Sequence, residues 1–136
     1  MSPDEIRMVK ESWAKVVPIS EQAAALFYGR LFEVYPEVEP YFKGDMQAQG
    51  RKLMTMIDTA VGSLDDLTPL IGAIKASGQR HAAYGVTAAD YDKVADALLW
   101  TLQQGLGEAF TEQVKGAWVT TYSALAAVMK DGAKAA

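Results

Sequence analysis

The chain contains a single histidine, His81, inside the stretch SGQRHAAYG, and no cysteine. Without thiols there is no disulfide, no thiolate nucleophile, no zinc ribbon and no thiolate-bound iron. A zinc site built from protein alone needs about four ligands, yet the positions one helical turn to either side of His81 are Ser77 and Gly85. Acid–base or nucleophilic catalysis would show a base matched to a nucleophile or a carboxylate, and no such constellation is visible. His81 is therefore either a surface or hydrogen-bonded helix residue, or one ligand to a cofactor that brings most of the other ligands itself.

Either role requires a scaffold. A chain of 136 residues is close to the commonest domain size and buries about two-thirds of the surface its unfolded form exposes, so residues 1–136 are expected to form one domain with one core. With 50% hydrophobic and 22% charged residues, disordered and collagen-like classes are excluded. The 13 Lys and Arg against 17 Asp and Glu give a net charge of -4 without a block of one sign, which argues against a nucleic-acid partner. The opening MSPDEI lacks the basic start and apolar stretch of a secretory signal, and no run of about 18 apolar residues occurs. No membrane insertion and a cytoplasmic location are the expectations.

Apolar residues recur at helical spacing through most of the chain and alternating strand patterns are missing, which reads as all-α. Ser2, Pro3 and Glu5 start a helix with the stripe Ile6, Val9, Trp13 and Val16, which Pro18 ends. Ser20 is expected to cap a second helix carrying Phe27, Tyr28, Leu31 and Phe32, stopping near Tyr35 because Pro36 follows. The segment PEVEPYFKGD, with two prolines and Gly44, is a corner anchored by Tyr41 and Phe42. A third helix covers about 47–61. After the connector GSLDDL, Thr68-Pro69 opens the helix that carries His81, with Gly85 as its left-handed cap.

Thr87 caps the next helix, whose apolar face includes Tyr91, Val94, Leu98 and Leu102 and which weakens at Gly105 and Gly107. Thr111 caps the last, with Val114, Trp118, Tyr122, Leu125 and Met129 at helical spacing, and residues 131–136 read as a frayed tail. The sum is about six to seven helices around one core, which by itself implies no function.

Haem changes what one histidine can do, because the porphyrin fills four positions of the iron and asks the protein for one imidazole. The order of features resembles the globin family over nearly the whole chain: SW at Trp13, then LFYGRLFEVYPEVEPYF, QGRKLM, QRHAAYGV followed by DY, and AWVTTY around Trp118. Each motif alone is weak, and their order and separations together are specific. The group resembled most is the single-domain bacterial haemoglobins and the haem domain of flavohaemoglobins. The resemblance implies a globin fold around a pocket for haem b (iron protoporphyrin IX), with O2, CO and NO as ligands.

By position, the resemblance makes His81 the proximal iron ligand and Phe42 the corner residue against the haem ring. Tyr28 and Gln49 take the distal positions, and Leu53, one turn after Gln49, covers the ligand pocket. A phenol or amide aimed at bound O2, which carries partial negative charge, is a charge-assisted donor. Lys52 and Arg80 could reach the haem propionates, or could equally be solvated surface charges. Val86, Tyr91, Val94 and Leu98 fit the proximal and rear walls, where core packing explains them equally well.

One departure is informative. Flavohaemoglobins pair the tyrosine matched by Tyr91 with a glutamate in the last helix, and the matching slot falls near Ala133, with Asp131 close by. Without that carboxylate, the partner of His81 is expected to be the backbone carbonyl of Ser77, and the electron push that aids peroxide cleavage is weakened. The first reading is a reversible O2 binder for storage or delivery. The second is an NO dioxygenase or peroxidase-type detoxifier with a separate reductase, because no flavin or NADH site is visible. The third is a haem-based gas sensor, for which the chain leaves no room for an output domain.

Overall fold

In the computed structural model, which describes residues 2–135 apart from the side chain of Ala135, no strand occurs among the described residues. Six α-helices follow one another: α1 (Pro3–Val16), α2 (Ser20–Val34), α3 (Met46–Gly62), α4 (Ile71–Ala83), α5 (Ala88–Leu106) and α6 (Glu112–Ala135). None of the described helices is long and apolar enough to cross a membrane.

Local chemistry sets several of the boundaries. Ser2 Oγ accepts from the Glu5 N–H at 3.1 Å while the Glu5 carboxylate accepts from the Ser2 N–H at 3.0 Å, so α1 starts on a reciprocal cap followed by Pro3. Thr87 and Asp90 form the same box at the head of α5. Gly85 has φ +95°, the left-handed conformation expected of it after α4.

Two expectations are corrected. Ser20 does not cap α2; it lies inside the helix, because the 3-10 turn Val17–Ile19 leads directly into α2 and the Ser20 N–H donates to the Val17 carbonyl. Residues beyond Asp131 are not a frayed end up to Ala135, because α6 continues to that residue. Asp131 pairs with Lys75 at 3.4 Å, and Gly132 is buried against α4.

The core is closed by two tryptophans whose ring centroids lie 6.0 Å apart. Trp118 Nε1 donates to Ser12 Oγ at 2.8 Å, tying α6 to α1, and Trp13 Nε1 donates to Asp58 Oδ1 at 2.9 Å, tying α1 to α3. Buried indole N–H groups cost free energy unless paired, so these bonds select one packing of the three helices. Phe27 and Leu31 of α2 and Leu98 and Leu102 of α5 are buried in the same core.

Three glycine contacts then fix the helices on which the candidate site depends. A Cβ on Gly50 would stand 2.9 Å from Ala24 Cβ, so α3 approaches α2 as closely as a missing side chain allows. On the other side, a Cβ on Gly78 would overlap the Met129 backbone, and one on Gly132 would overlap the Lys75 backbone. Helices α4 and α6 therefore meet backbone to backbone. Of the residues of α4, only Ser77 and Gly78 are buried, so this seam holds the helix where apolar burial does not.

Candidate functional site

His81 lies two residues before the end of α4 and is half-buried. Its Nδ1 is 2.7 Å from the carbonyl oxygen of Ser77. A carbonyl only accepts, so Nδ1 carries a proton, and in the neutral ring the lone pair is on Nε2. No group among the described residues pairs with Nε2. The imidazole is thus fixed in the tautomer and orientation of a metal ligand by its own helix. Among the described residues, no group of three or more His, Cys, Asp or Glu could hold a metal ion by itself, so one nitrogen is what this chain offers.

The second cluster comes from α2, α3 and the corner between them. Tyr28 is buried at 7% exposure, between Phe27 at 4.9 Å, Phe42 at 5.3 Å and Phe32 at 5.9 Å between ring centroids. The edge-on arrangements to Phe27 and Phe42 hold the phenol ring in place. Burial raises the pKa of the Tyr28 hydroxyl, so it remains a protonated donor; the Gln49 side chain acts in the opposite direction by hydrogen bonding. The Gly50–Ala24 contact explains the pairing: it seats α3 on α2 one residue from Gln49 and one helical turn before Tyr28.

The other expected residues divide into two groups. Leu53 and Val94 are partly buried and pack on the core; Leu98 is buried and Val86 is half-buried. Tyr91 is buried, with its ring centroid 6.5 Å from that of His81, and burial raises its pKa. Tyr91 and Leu98 also line a groove of about 340 Å³ between α5 and α6, with Tyr122 and Lys130. Tyr122 Oη donates to the Tyr91 carbonyl at 2.7 Å, and the Lys130 ammonium lies 5.4 Å from the centre of the Tyr91 ring. Lys52 and Arg80 are exposed, and the structure joins neither to this cluster. Ala133 is half-buried, and the nearby Asp131 carboxylate, 68% exposed, is engaged by Lys75, so the structure brings no carboxylate to His81 from that segment.

Sequence reasoning missed Gly78 and Gly132, which set the height of α4 above α6. The available signal was a glycine inside a helix, in KASGQRH, where it weakens the helix unless another backbone passes close by. It also missed the polar contacts of Tyr41 with the segment after α4, which join residues 44 and 49 positions apart.

Comparison with known proteins bears on the family and the fold. The family model described as Globin matches residues 25–129. Neuroglobin of Chaenocephalus aceratus is 30% identical over 146 aligned positions, covering 97% of this chain and 92% of that protein. Neuroglobin of Danio rerio gives the same identity and coverage, 30% over 97% of this chain and 92% of the relative. Among solved structures, an engineered carbene transferase made from a candidate nitric oxide dioxygenase of Rhodothermus marinus superposes with a TM-score of 0.90 at 27% identity, covering 99% of this chain and 94% of that one.

Proposed function

The chain belongs to the globin family, and from that membership we propose that it is a single-domain haem protein that binds O2 reversibly, for storage or delivery in the cytoplasm. The observation that carries the reading is the His81 ring, with Nδ1 committed to the Ser77 carbonyl at 2.7 Å and Nε2 unpaired. Haem b would supply an iron with four porphyrin nitrogens, one position for a histidine and one for a diatomic gas such as O2, CO or NO.

The residues present fit that group. His81 Nε2 would hold the iron, Phe42 and Val86 would wall the pocket with Leu53, Tyr91, Val94 and Leu98, and the exposed Lys52 and Arg80 would be free to reach carboxylates at its edge. Tyr28 and Gln49 would give the gas a polar side, because burial keeps the phenol protonated and the Gln49 side chain lies beside it. His81 donates to a carbonyl and not to a carboxylate, so less electron density is pushed toward its free nitrogen. That favours reversible binding over peroxide cleavage.

A second reading, NO dioxygenase, is supported by the description of the Rhodothermus marinus relative. It requires an electron after every turnover and therefore a separate reductase. Absorption spectra of the protein titrated with haemin, before and after reduction and with O2 or CO, test the first reading. Stoichiometric uptake and a ferrous form with an open sixth position are expected, whereas a protein that ignores haemin would overturn the scheme. NO consumption should stop after about one turnover per haem without a reductase. Sustained turnover with NADH alone would overturn the binder reading.

A further inference from the structure

The corner Pro36–Tyr41 runs directly into Phe42, and the turn that leaves α4 starts three residues after His81. These two segments are joined by polar contacts. Tyr41 Oη lies 3.2 Å from the Gly85 carbonyl and 3.3 Å from Asp90 Oδ2. Gly85, at φ +95°, turns the chain here, and a Cβ on it would stand 3.7 Å from the Tyr41 ring. Asp90 is buried at 5% exposure and accepts from the Thr87 N–H at 2.8 Å and the Lys93 ammonium at 3.0 Å. The same ammonium reaches Glu37 Oε2 of the corner at 3.1 Å, and Tyr35 Oη donates to Asp96 Oδ2 at 2.9 Å. The turn is also bonded to the histidine residue itself, since the Val86 N–H donates to the His81 carbonyl at 3.0 Å.

The geometry points to Tyr41 and Asp90 as positioning residues: a latch that ties the Phe42 corner to the turn leaving the His81 helix and sets how readily the two part to release haem. The inference rests on the haem reading. A flat cofactor leaves by separation of the segments that clamp it, and Tyr41 and Gly85 span those segments one residue from Phe42 and four from His81. Bonds to a buried carboxylate contribute more than an exposed ion pair, so the Tyr41–Asp90 contact outweighs Lys93–Glu37. Bonds that must break during release act on its rate, while a gas held on the Tyr28 side would not touch them.

The test compares wild type, Tyr41→Phe and Asp90→Asn in the full chain by haem transfer to an excess of a haem-scavenging apoglobin and by hydrogen exchange of the haem-free chain. Each variant should lose haem about fivefold faster, the loss of one net hydrogen bond, and the double variant little faster than either single one. Exchange over residues 84–91 should speed up in the haem-free variants, while O2 dissociation stays within about twofold, less than one net hydrogen bond would shift it. Ser2→Ala weakens the α1 cap by about 1 kcal/mol outside the latch, and it should leave haem transfer at the wild-type rate. Equal acceleration by Ser2→Ala, or wild-type transfer in both latch variants, would overturn the latch while leaving the haem reading intact. A wild-type chain that takes up no haem would overturn the functional reading, and the latch's role with it.

Discussion

Helices α3 and α4, which carry Gln49 and His81, are held by different means. Helix α3 buries Met54, Ala60 and Val61 and meets α2 through a glycine against a methyl group, so side chains set its position. Helix α4 buries almost no apolar side chain and is seated on α6 by Gly78 against the Met129 backbone and Gly132 against the Lys75 backbone, with Lys75–Asp131 alongside at 3.4 Å. Even the orientation of His81 comes from a backbone carbonyl. The Tyr28 side can thus be tuned by exchanging side chains, whereas the His81 side is set by main-chain geometry and tolerates little change.

The largest expected effect concerns the one residue for which that backbone frame has no substitute. His81→Ala should abolish stoichiometric haem retention, and added imidazole should restore it, because the frame remains while its ligand is gone. Absorbance after gel filtration checks this; retention of haem by the variant without imidazole would place the ligand elsewhere. Next is the seam itself. Gly78→Ala should destabilise the haem-free chain by roughly 2–3 kcal/mol in urea unfolding, as overpacking against an immovable backbone does. Gly116 of α6 has nothing within 4 Å of a new Cβ, so Gly116→Ala should stabilise by about 0.5–1 kcal/mol. Equal effects at the two glycines would mean that α4 and α6 are not held by close approach.

On the opposite side the expected effects are smaller and depend on the ligand. If Tyr28 donates to bound O2, Tyr28→Phe should speed O2 dissociation by about tenfold or more, since a bond to a charged group contributes roughly 1.5–3 kcal/mol. CO, far less polar, should change much less. Gln49→Leu should act in the same direction, and the two losses should not add, because the two side chains interact with each other. Equal changes for O2 and CO in stopped-flow measurements would mark a packing defect in the Phe27, Phe32 and Phe42 cluster and remove Tyr28 from the ligand site.

The same division explains what the sequence revealed. Helix periodicity, the Ser2 and Thr87 caps, the left-handed Gly85 and the Ser77 carbonyl one turn before His81 are local features, and each is found where the residues imply it. Ser20 misled because a cap residue is also an ordinary first-turn residue when a 3-10 turn precedes the helix. The end of α6 misled because small residues such as those of DGAKAA read as fraying, while here the glycine is what lets α4 approach. Tyr28 and Gln49 were reached through the family resemblance; their spacing alone does not distinguish them from core and surface residues. The latch was invisible because Tyr41 and Asp90 carry ordinary turn and cap signals, and their contact is a product of the tertiary fold.

The smallest expected effect tests whether Asp90 acts through its charge or merely as a cap. Burial opposes ionisation of its carboxyl, but the Thr87 backbone N–H, the Lys93 ammonium and the Thr87 hydroxyl outweigh it and hold the pKa below the usual carboxylate range. A depressed pKa gives stability that is fully present above the unfolded value, about 3.9, and that is lost as pH falls through the folded value. Asparagine keeps an oxygen for the Thr87 N–H but has no charge for Lys93, which would then turn to Glu37. Asp90→Asn should therefore cost about 1 kcal/mol at pH 7, the difference between charged and neutral hydrogen bonds, and the gap to wild type should close as pH falls toward 3. Glu5, Glu37 and Asp66 also have lowered pKa values. They are present in both chains, so their contributions largely cancel in the difference between the two urea-unfolding series. A gap that stays constant from pH 7 to pH 3 would assign Asp90 a role of shape alone, and the corner would then be held to α5 by Tyr41 and the Gly85 carbonyl without help from a charge.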